Sequence, residues 1–298
     1  MPLHDLGRLG IWSRELRFGE AGDMRDGAAE LEELGFGTLW VPGGFDGPLL
    51  EICADQLAAT SRVVIATGIL NVFGHDPGDV AREQAVIDER FPGRFLLGIG
   101  VGHAKFLGAE AQEQSRRPLD VIGRYLDELE RHAPAGGSPN RVVAALAPRM
   151  VQLARERTLG IHPYMVPVAH TAEVRAALGD GPLVLTELSV VLGTGLDDLR
   201  SRARQDLALY LTLPNYVRTW GRLGFGPDDL ADGGSDRLVD AVYALGTIEE
   251  IGERVREHLA AGADHVCLRV VTNAPMTGAG ETLPRAAWRE LSALVGSV

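Results

Sequence analysis

Between Arg62 and Lys105 the chain reads RVVIATGILNVFGHDPGDVAREQAVIDERFPGRFLLGIGVGHAK, the stretch that narrows the possible folds most. Val63, Val64 and Ile65 form a β-branched run ending at Thr67-Gly68, as a strand buried on both faces does. Asn71 to Pro77 is a polar turn. Gly78 to Arg90 carries a helical pattern, with Val80, Ala81, Ala85 and Val86 on one side, until Phe91-Pro92-Gly93 breaks it. Phe95, Leu96, Leu97 and Ile99 make a second buried strand that stops at Gly100-Val101-Gly102-His103. Both strands thus lead into loops holding glycines and a histidine, His75 and His103. Parallel α/β folds bind ligands at those carboxyl ends.

The same alternation runs through the chain. Strand patterns are expected at Leu9–Trp12, Thr38–Val41, Val142–Leu146, Ile161–Tyr164, Leu183–Leu185 and His265–Val271. Helical patterns are expected at Met24–Leu34, Leu49–Ala59, Leu119–Leu129, Met150–Arg157, His170–Leu178, Leu196–Leu213, Leu238–Leu245 and Leu283–Leu294. Thr247-Ile248-Glu249-Glu250 is a capping box opening a further helix, with Ile251, Val255 and Leu259 inward. Ser13–Gly19, Phe106–Arg117 and Pro214–Ser235 read as polar or irregular connections. Eight strands alternating with helices, and no linker between two cores, predict one α/β domain over 1–298. That domain is a single (β/α)8 TIM barrel with an insertion at about 190–245.

Composition removes several function classes. The net charge of −12 argues against nucleic-acid and anionic-membrane partners, because no basic stripe offsets it. Lys105 is the only lysine, so nearly all positive charge is arginine, as in proteins from GC-rich genomes such as those of actinobacteria. Cys53 and Cys267 stand alone in apolar runs and read as buried thiols in a reducing compartment. The first residues lack the basic and apolar regions of a signal peptide, and no apolar run approaches the ~18 residues of a membrane span. A cytoplasmic protein is expected. No CxxC pair, HExxH, GxSxG or Walker loop is present, so metal and serine hydrolase and P-loop chemistry have no support.

Several residues carry two readings. His103, in GIGVGHAK, is either an exposed turn histidine or a proton donor and acceptor beside a ligand that the glycines admit. His75-Asp76-Pro77 either pairs imidazole with carboxylate or is an N-cap and first-turn proline. Gly160-Ile161-His162-Pro163-Tyr164 is either a structural turn or a ligand contact. Leu213-Pro214-Asn215-Tyr216 to Trp220 is either an aromatic lid or a packed surface segment. Trp40, His265 and Cys267 read as core, whereas His4, His132 and His258 read as exposed.

The segment ATSRVVIATGILNV…DERFPGRFLLGIGVGH resembles the luciferase-like flavin and deazaflavin oxidoreductases, and most of all their actinobacterial branch that uses coenzyme F420. The resemblance runs from about Leu9 to Val271, with AREQAVIDERFPGRFLLGIGVGH and EHLAAGADHVCLRV its most specific strings. It implies hydride transfer between C5 of the deazaflavin and a small organic substrate, with His103 and then His75 as proton-handling candidates. It also implies a non-prolyl cis peptide at Gly68-Ile69 under the coenzyme ring. Thr67, Gly68, Ile69, Asn71, Gly100, Gly102 and His103 would surround the ring, and Gly160, Ile161 and His162 its phosphate side. Relatives carry an acidic residue directly after the second strand; here Gly43-Gly44 stand there and Asp46 follows as the candidate. A homodimer is the expected assembly. FMN in place of F420, with monooxygenase chemistry, is the alternative, and Arg116, Arg117, Arg149 and Arg157 are compatible with either. A flavin-binding barrel without turnover is the alternative of another class.

Overall fold

The computed structural model describes residues 3–43, 47–134, 139–272, 274 and 279–298. In chain order it contains β1 (Leu9–Trp12), α1 (Glu15–Phe18), α2 (Ala21–Glu33), β2 (Thr38–Gly43), α3 (Leu49–Ala59), β3 (Val64–Asn71), α4 (Pro77–Arg90) and β4 (Phe95–Gly100). Then follow α5 (Ala109–Gln114), α6 (Pro118–His132), β5 (Arg141–Val143), α7 (Pro148–Arg157), β6 (Gly160–Ile161), α8 (Val168–Leu178) and β7 (Leu183–Leu192). The remainder comprises α9 (Leu196–Tyr210), α10 (Pro214–Arg222), α11 (Pro227–Leu230), α12 (Asp236–Val242), β8 (Tyr243–Gly246), α13 (Ile248–Ala260), β9 (His265–Val270) and α14 (Arg285–Leu291).

All strand pairings are parallel. Strands β1 to β7 pair in sequence, β7 pairs with β9, and β9 returns to β1, closing an eight-stranded ring. This is the expected (β/α)8 barrel. Side chains alternate along each strand: Trp40, Val64, Ala66, Leu96 and Cys267 fill the interior, while Leu39, Ile65 and Phe95 pack outward under the helices. Trp40, His265 and Cys267 are fully buried, as expected.

The segment between β7 and β9 differs from its reading. Strand β7 continues to Leu192 instead of stopping at Leu185, because its polar residues Glu187 and Ser189 find buried partners. Tyr243–Gly246, expected as the end of a helix, is a ninth strand paired with the upper half of β7, from Ser189↔Tyr243 to Leu192↔Gly246. Pro214–Ser235 holds two short helices, and Trp220, Leu207, Val239 and Tyr243 share a separate apolar cluster. Ser13–Gly19 and Phe106–Arg117 likewise contain short helices, α1 and α5.

Two helix faces differ from their sequence patterns. On α4 the buried stripe is Val80, Ala81, Gln84 and Ile87, and Val86 is 54% exposed. His258 is buried, accepting or donating at Nδ1 against the Thr171 hydroxyl (2.9 Å). It stands seven residues after Ile251 and three after Val255, on the inward face of α13. The capping box is as read: Thr247 accepts from the Glu250 amide while Glu250 accepts from the Thr247 amide. One buried carboxylate ties α2 to the start of β3. Glu32 accepts from the backbone amides of Ser61, Arg62 and Val63. Burial alone would raise its pKa, but those amides hold it down to about 2.

Candidate active site

The carboxyl end of β3 carries one extra residue. Its register against β2 slips between Val41↔Thr67 and Gly43↔Leu70, and against β4 between Ala66↔Leu96 and Leu70↔Ile99. The Gly68–Ile69 peptide within this bulge is cis, the bond singled out in the sequence. Neighbouring glycines give the bulge room. A Cβ on Gly98 would stand 2.1 Å from the Thr67 carbonyl oxygen, and one on Gly43 would stand 2.5 Å from that of Ile69. Gly98 and Gly43 therefore serve strand packing at the bulge, whereas Gly102 lies beyond β4 with a φ of +62° and faces the cavity. The Thr67 hydroxyl replaces lost ladder bonds, donating to the Gly98 carbonyl (2.7 Å) and accepting its amide (2.8 Å).

Above the bulge opens a cavity of about 1290 Å³, at the carboxyl ends of the strands. Of the residues singled out in the sequence, it brings together Gly68, Ile69, Asn71, Gly102, His103 and His162. Thr67 is buried in the sheet beneath it, and Gly100 packs on the Ile69 side chain. Gly160 and Ile161 lie within β6, outside the lining, where a Cβ on Gly160 would meet the Leu183 backbone at 2.1 Å. His75 is half-buried outside the cavity, its carbonyl accepting from the Tyr125 hydroxyl (3.1 Å), and Asp76 caps α4 through the amides of Gly78 and Asp79. Asp46 lies outside the described residues.

His103 stands between Phe106 and Tyr216, with ring centroids 6.2 and 5.7 Å away, and its Nδ1 has no hydrogen-bond partner among the described residues. Burial lowers its pKa, so the imidazole is neutral near pH 7. His162 is fully buried against Trp40, the rings stacked at 4.1 Å. Its Nδ1 donates to the Leu185 carbonyl (2.7 Å), which fixes the tautomer and leaves Nε2 as an unpartnered acceptor near Gly68. Burial brings its pKa down to about 4, although the Leu185 bond opposes that shift.

A buried charged cluster with no local signal in the sequence reaches the cavity through Arg269 and Asp206. Arg269 of β9 donates to Asp206 of α9 (2.5 Å), to Ser189 (2.7 Å) and, more distantly, to Glu187 of β7 (3.2 Å). Burial disfavours the Arg269 charge, but Asp206 more than offsets it, and the arginine stays protonated. Asp206 is held low by Arg269 against its own burial, whereas burial keeps Glu187 above the usual carboxylate range. The Tyr243 hydroxyl also donates to Asp206 (2.8 Å).

Among the arginines lining the cavity, Arg14 pairs with Glu281 (2.6 Å) and Arg269 with Asp206. Arg149 alone has no carboxylate partner among the described residues. It is exposed in the first turn of α7, a helix whose N-cap, Ala147, brings no side-chain acceptor. Arg157 is committed to Asp127 and Glu130, Arg116 to Glu113, and Lys105 donates to Thr212; none of these lines the cavity, nor does Arg117. Of the two readings of Leu213–Trp220, the packed one is observed, as helix α10: Trp220 donates to the Met165 carbonyl (3.1 Å), while Asn215 and Tyr216 face the cavity.

The sequence profile of the luciferase-like monooxygenases matches residues 10–112, which hold the bulge and the His103 loop. Over those residues the chain is similar to that family. It is similar to 4-hydroxyprotoasukamycin monooxygenase of Streptomyces nodosus subsp. asukaensis, 31% identical over 188 residues, or 51% of this chain and 48% of that one. It is also similar to F420-dependent glucose-6-phosphate dehydrogenase of Microbacterium testaceum, 31% identical over 107 residues, or 33% and 32%. These matches span about half of the first relative and a third of the second. In fold the barrel is similar to an F420-dependent secondary alcohol dehydrogenase in complex with an F420-acetone adduct. The TM-score there is 0.70 at 14% identity, over 100% of this chain and 99% of that one.

Proposed function

We propose that the cavity takes coenzyme F420 and that the protein is an oxidoreductase moving a hydride between that coenzyme and a small organic molecule. The arrangement of charge is the observation that carries this reading. A short phosphate tail calls for a cluster of arginines, but here the deep arginines are neutralised by carboxylates. Arg149 is left at the open mouth, beside an α7 first turn without a side-chain cap, where a longer anionic tail would lie. The floor also fits a planar ring: Gly68 presents no side chain, Ile69 offers an apolar surface and the unpartnered Nε2 of His162 lies close by.

When bound, the coenzyme supplies a two-electron hydride carrier at its C5. The chain's own residues do the rest. Gly68, Ile69 and Asn71 hold the ring, and Arg149 holds the tail. His103, neutral and unpartnered at Nδ1, accepts the proton released when an alcohol becomes a carbonyl compound and returns it in the reverse direction. An FMN-dependent monooxygenase is the second reading, favoured by the similarity to the Streptomyces monooxygenase. A cytoplasmic homodimer completes the proposal, and light scattering tests the assembly.

The test is an equilibrium titration of the purified protein with F420 and with FMN, each oxidised and reduced, followed by ring fluorescence or absorbance. Micromolar or tighter F420 binding, with FMN at least about tenfold weaker, supports the proposal. The opposite preference moves the protein to the monooxygenase reading, and binding of neither overturns both.

A further inference from the structure

Six ring-bearing side chains form a continuous arc along one wall of the cavity. Trp12 lies 5.5 Å from Tyr164, Tyr164 lies 5.8 Å from Tyr210, and Tyr210 lies 5.2 Å from Tyr216 in an edge contact. Tyr216 continues to His103 at 5.7 Å and His103 to Phe106 at 6.2 Å. All six line the cavity, from the floor, where Trp12 donates to Gly68, to the mouth, where Phe106 is 53% exposed. They come from five separate parts of the chain, so the arc exists only in the folded barrel.

Inside the arc, the hydroxyls of Tyr164 and Tyr210 are 3.0 Å apart and have no other hydrogen-bond partner among the described residues. Two phenols sharing one hydrogen bond use one of their two protons, which leaves a donor to spare. Burial raises both pKa values, Tyr210 to about 12, so both remain protonated donors. Arg269 lies 5.7 Å from the centroid of the Tyr164 ring and 6.0 Å from that of Tyr210, a cation that strengthens phenol donation. Its own charge is taken up by Asp206 and Glu187, and Arg14 is matched by Glu281. No unpaired cation among the described residues is left in the depth of the cavity to meet an anionic substrate.

We infer that Tyr164 and Tyr210 are the substrate-side hydrogen-bond donor, and that the aromatic arc around them selects a planar, conjugated, uncharged carbonyl compound. Flat unsaturated rings find offset and edge-on partners along the arc, and the carbonyl oxygen takes the spare phenolic proton in a hydrogen bond. This inference rests on the cavity being the coenzyme and substrate cleft.

Calorimetric titration of the F420-loaded protein tests it, with menadione as the planar carbonyl probe, 2-methylnaphthalene as its oxygen-free counterpart and glucose 6-phosphate as the anionic contrast. Oxidised F420 and menadione exchange no electrons, so binding alone is read. Menadione is expected to bind saturably, with glucose 6-phosphate at least about tenfold weaker. Because either single Tyr→Phe change leaves the other phenol free to donate, the double variant Tyr164→Phe/Tyr210→Phe is the one expected to weaken menadione by about tenfold and to leave 2-methylnaphthalene unchanged. An equal loss for both ring probes would reduce the tyrosines to a structural role, and glucose 6-phosphate binding as tightly as menadione would overturn the substrate class. F420 binding is measured first and separately. If it fails, the coenzyme reading falls, and the same probes titrated into the unloaded protein still decide the inference.

Discussion

Trp12 donates its indole N–H to the carbonyl oxygen of Gly68 at 2.8 Å, joining the end of β1 to the bulge in β3 across 56 positions of sequence. The bond orients a carbonyl at the cavity floor and places the indole at the start of the aromatic arc. The Trp12→Phe variant keeps a ring but loses the donor. It is expected to cost about 1–3 kcal/mol in stability and to weaken F420 binding by about tenfold. Urea unfolding and coenzyme titration check the two effects separately.

The room made by glycine at the bulge is equally testable. A Cβ at Gly98 meets a backbone carbonyl at 2.1 Å, and backbone cannot swing aside as a side chain can. Gly98→Ala is expected to cost at least about 1–3 kcal/mol, the usual range for overpacking. Gly123→Ala, where a Cβ meets nothing within 4 Å, is the matched control and should change stability little or raise it. Thermal and urea unfolding of the pair give the comparison.

Removing the cation from the buried cluster should be more damaging than removing one carboxylate. Arg269→Met strands Glu187 and Asp206 together, and breaking a buried pair this way costs about 3–5 kcal/mol. Glu187→Gln keeps a polar partner for Ser189 and leaves Asp206 to balance Arg269. It should cost far less. Combining Arg269→Met with Glu187→Gln should recover part of the loss in urea unfolding.

Stability should fall with acid in two stages. Burial holds His162 and His265 down to about 4 and His258 to about 3, whereas unfolded histidine titrates near 6.5. Between those values the unfolded chain binds more protons, so each histidine withdraws about 1.4 kcal/mol per pH unit as pH falls below about 6.5. Glu32, held at about 2 in the fold, contributes stability that is present above the unfolded carboxylate range and lost as pH falls from about 4.3 towards 2. Urea midpoints measured from pH 8 to pH 4 should drop mainly below about 6.5, and His258→Gln should flatten that slope.

What the sequence made legible follows from local rules. Short β-branched runs, helix stops and the Thr247 capping box are written within a few residues, so the capped helix α13 and most ring strands lie where the sequence puts them, although β3 runs on to Asn71 and β6 stops at Ile161 instead of Tyr164. The largest departure is β7, where Glu187 and Ser189 look like the end of an apolar run until Arg269, 82 and 80 positions away, is seen beside them. Asp206 joins from a third element, 63 positions before Arg269. Pairings of that separation leave no periodic mark in one sequence. A signal did exist for His258, whose spacing from Ile251 and Val255 puts it on the inward face of α13. The strand Tyr243–Gly246 had none, since its apolar run follows a helix without a break. Gly43 was noticed as the absence of an acid, and only the neighbouring Ile69 carbonyl explains why glycine stands there.

The most direct test of the central claim is a crystal structure of the protein with oxidised F420 bound. The deazaflavin ring is expected against Gly68 and Ile69, with its anionic tail at the first turn of α7 beside Arg149. Coenzyme bound outside this cavity, or inside it with the tail directed away from Arg149, would contradict it.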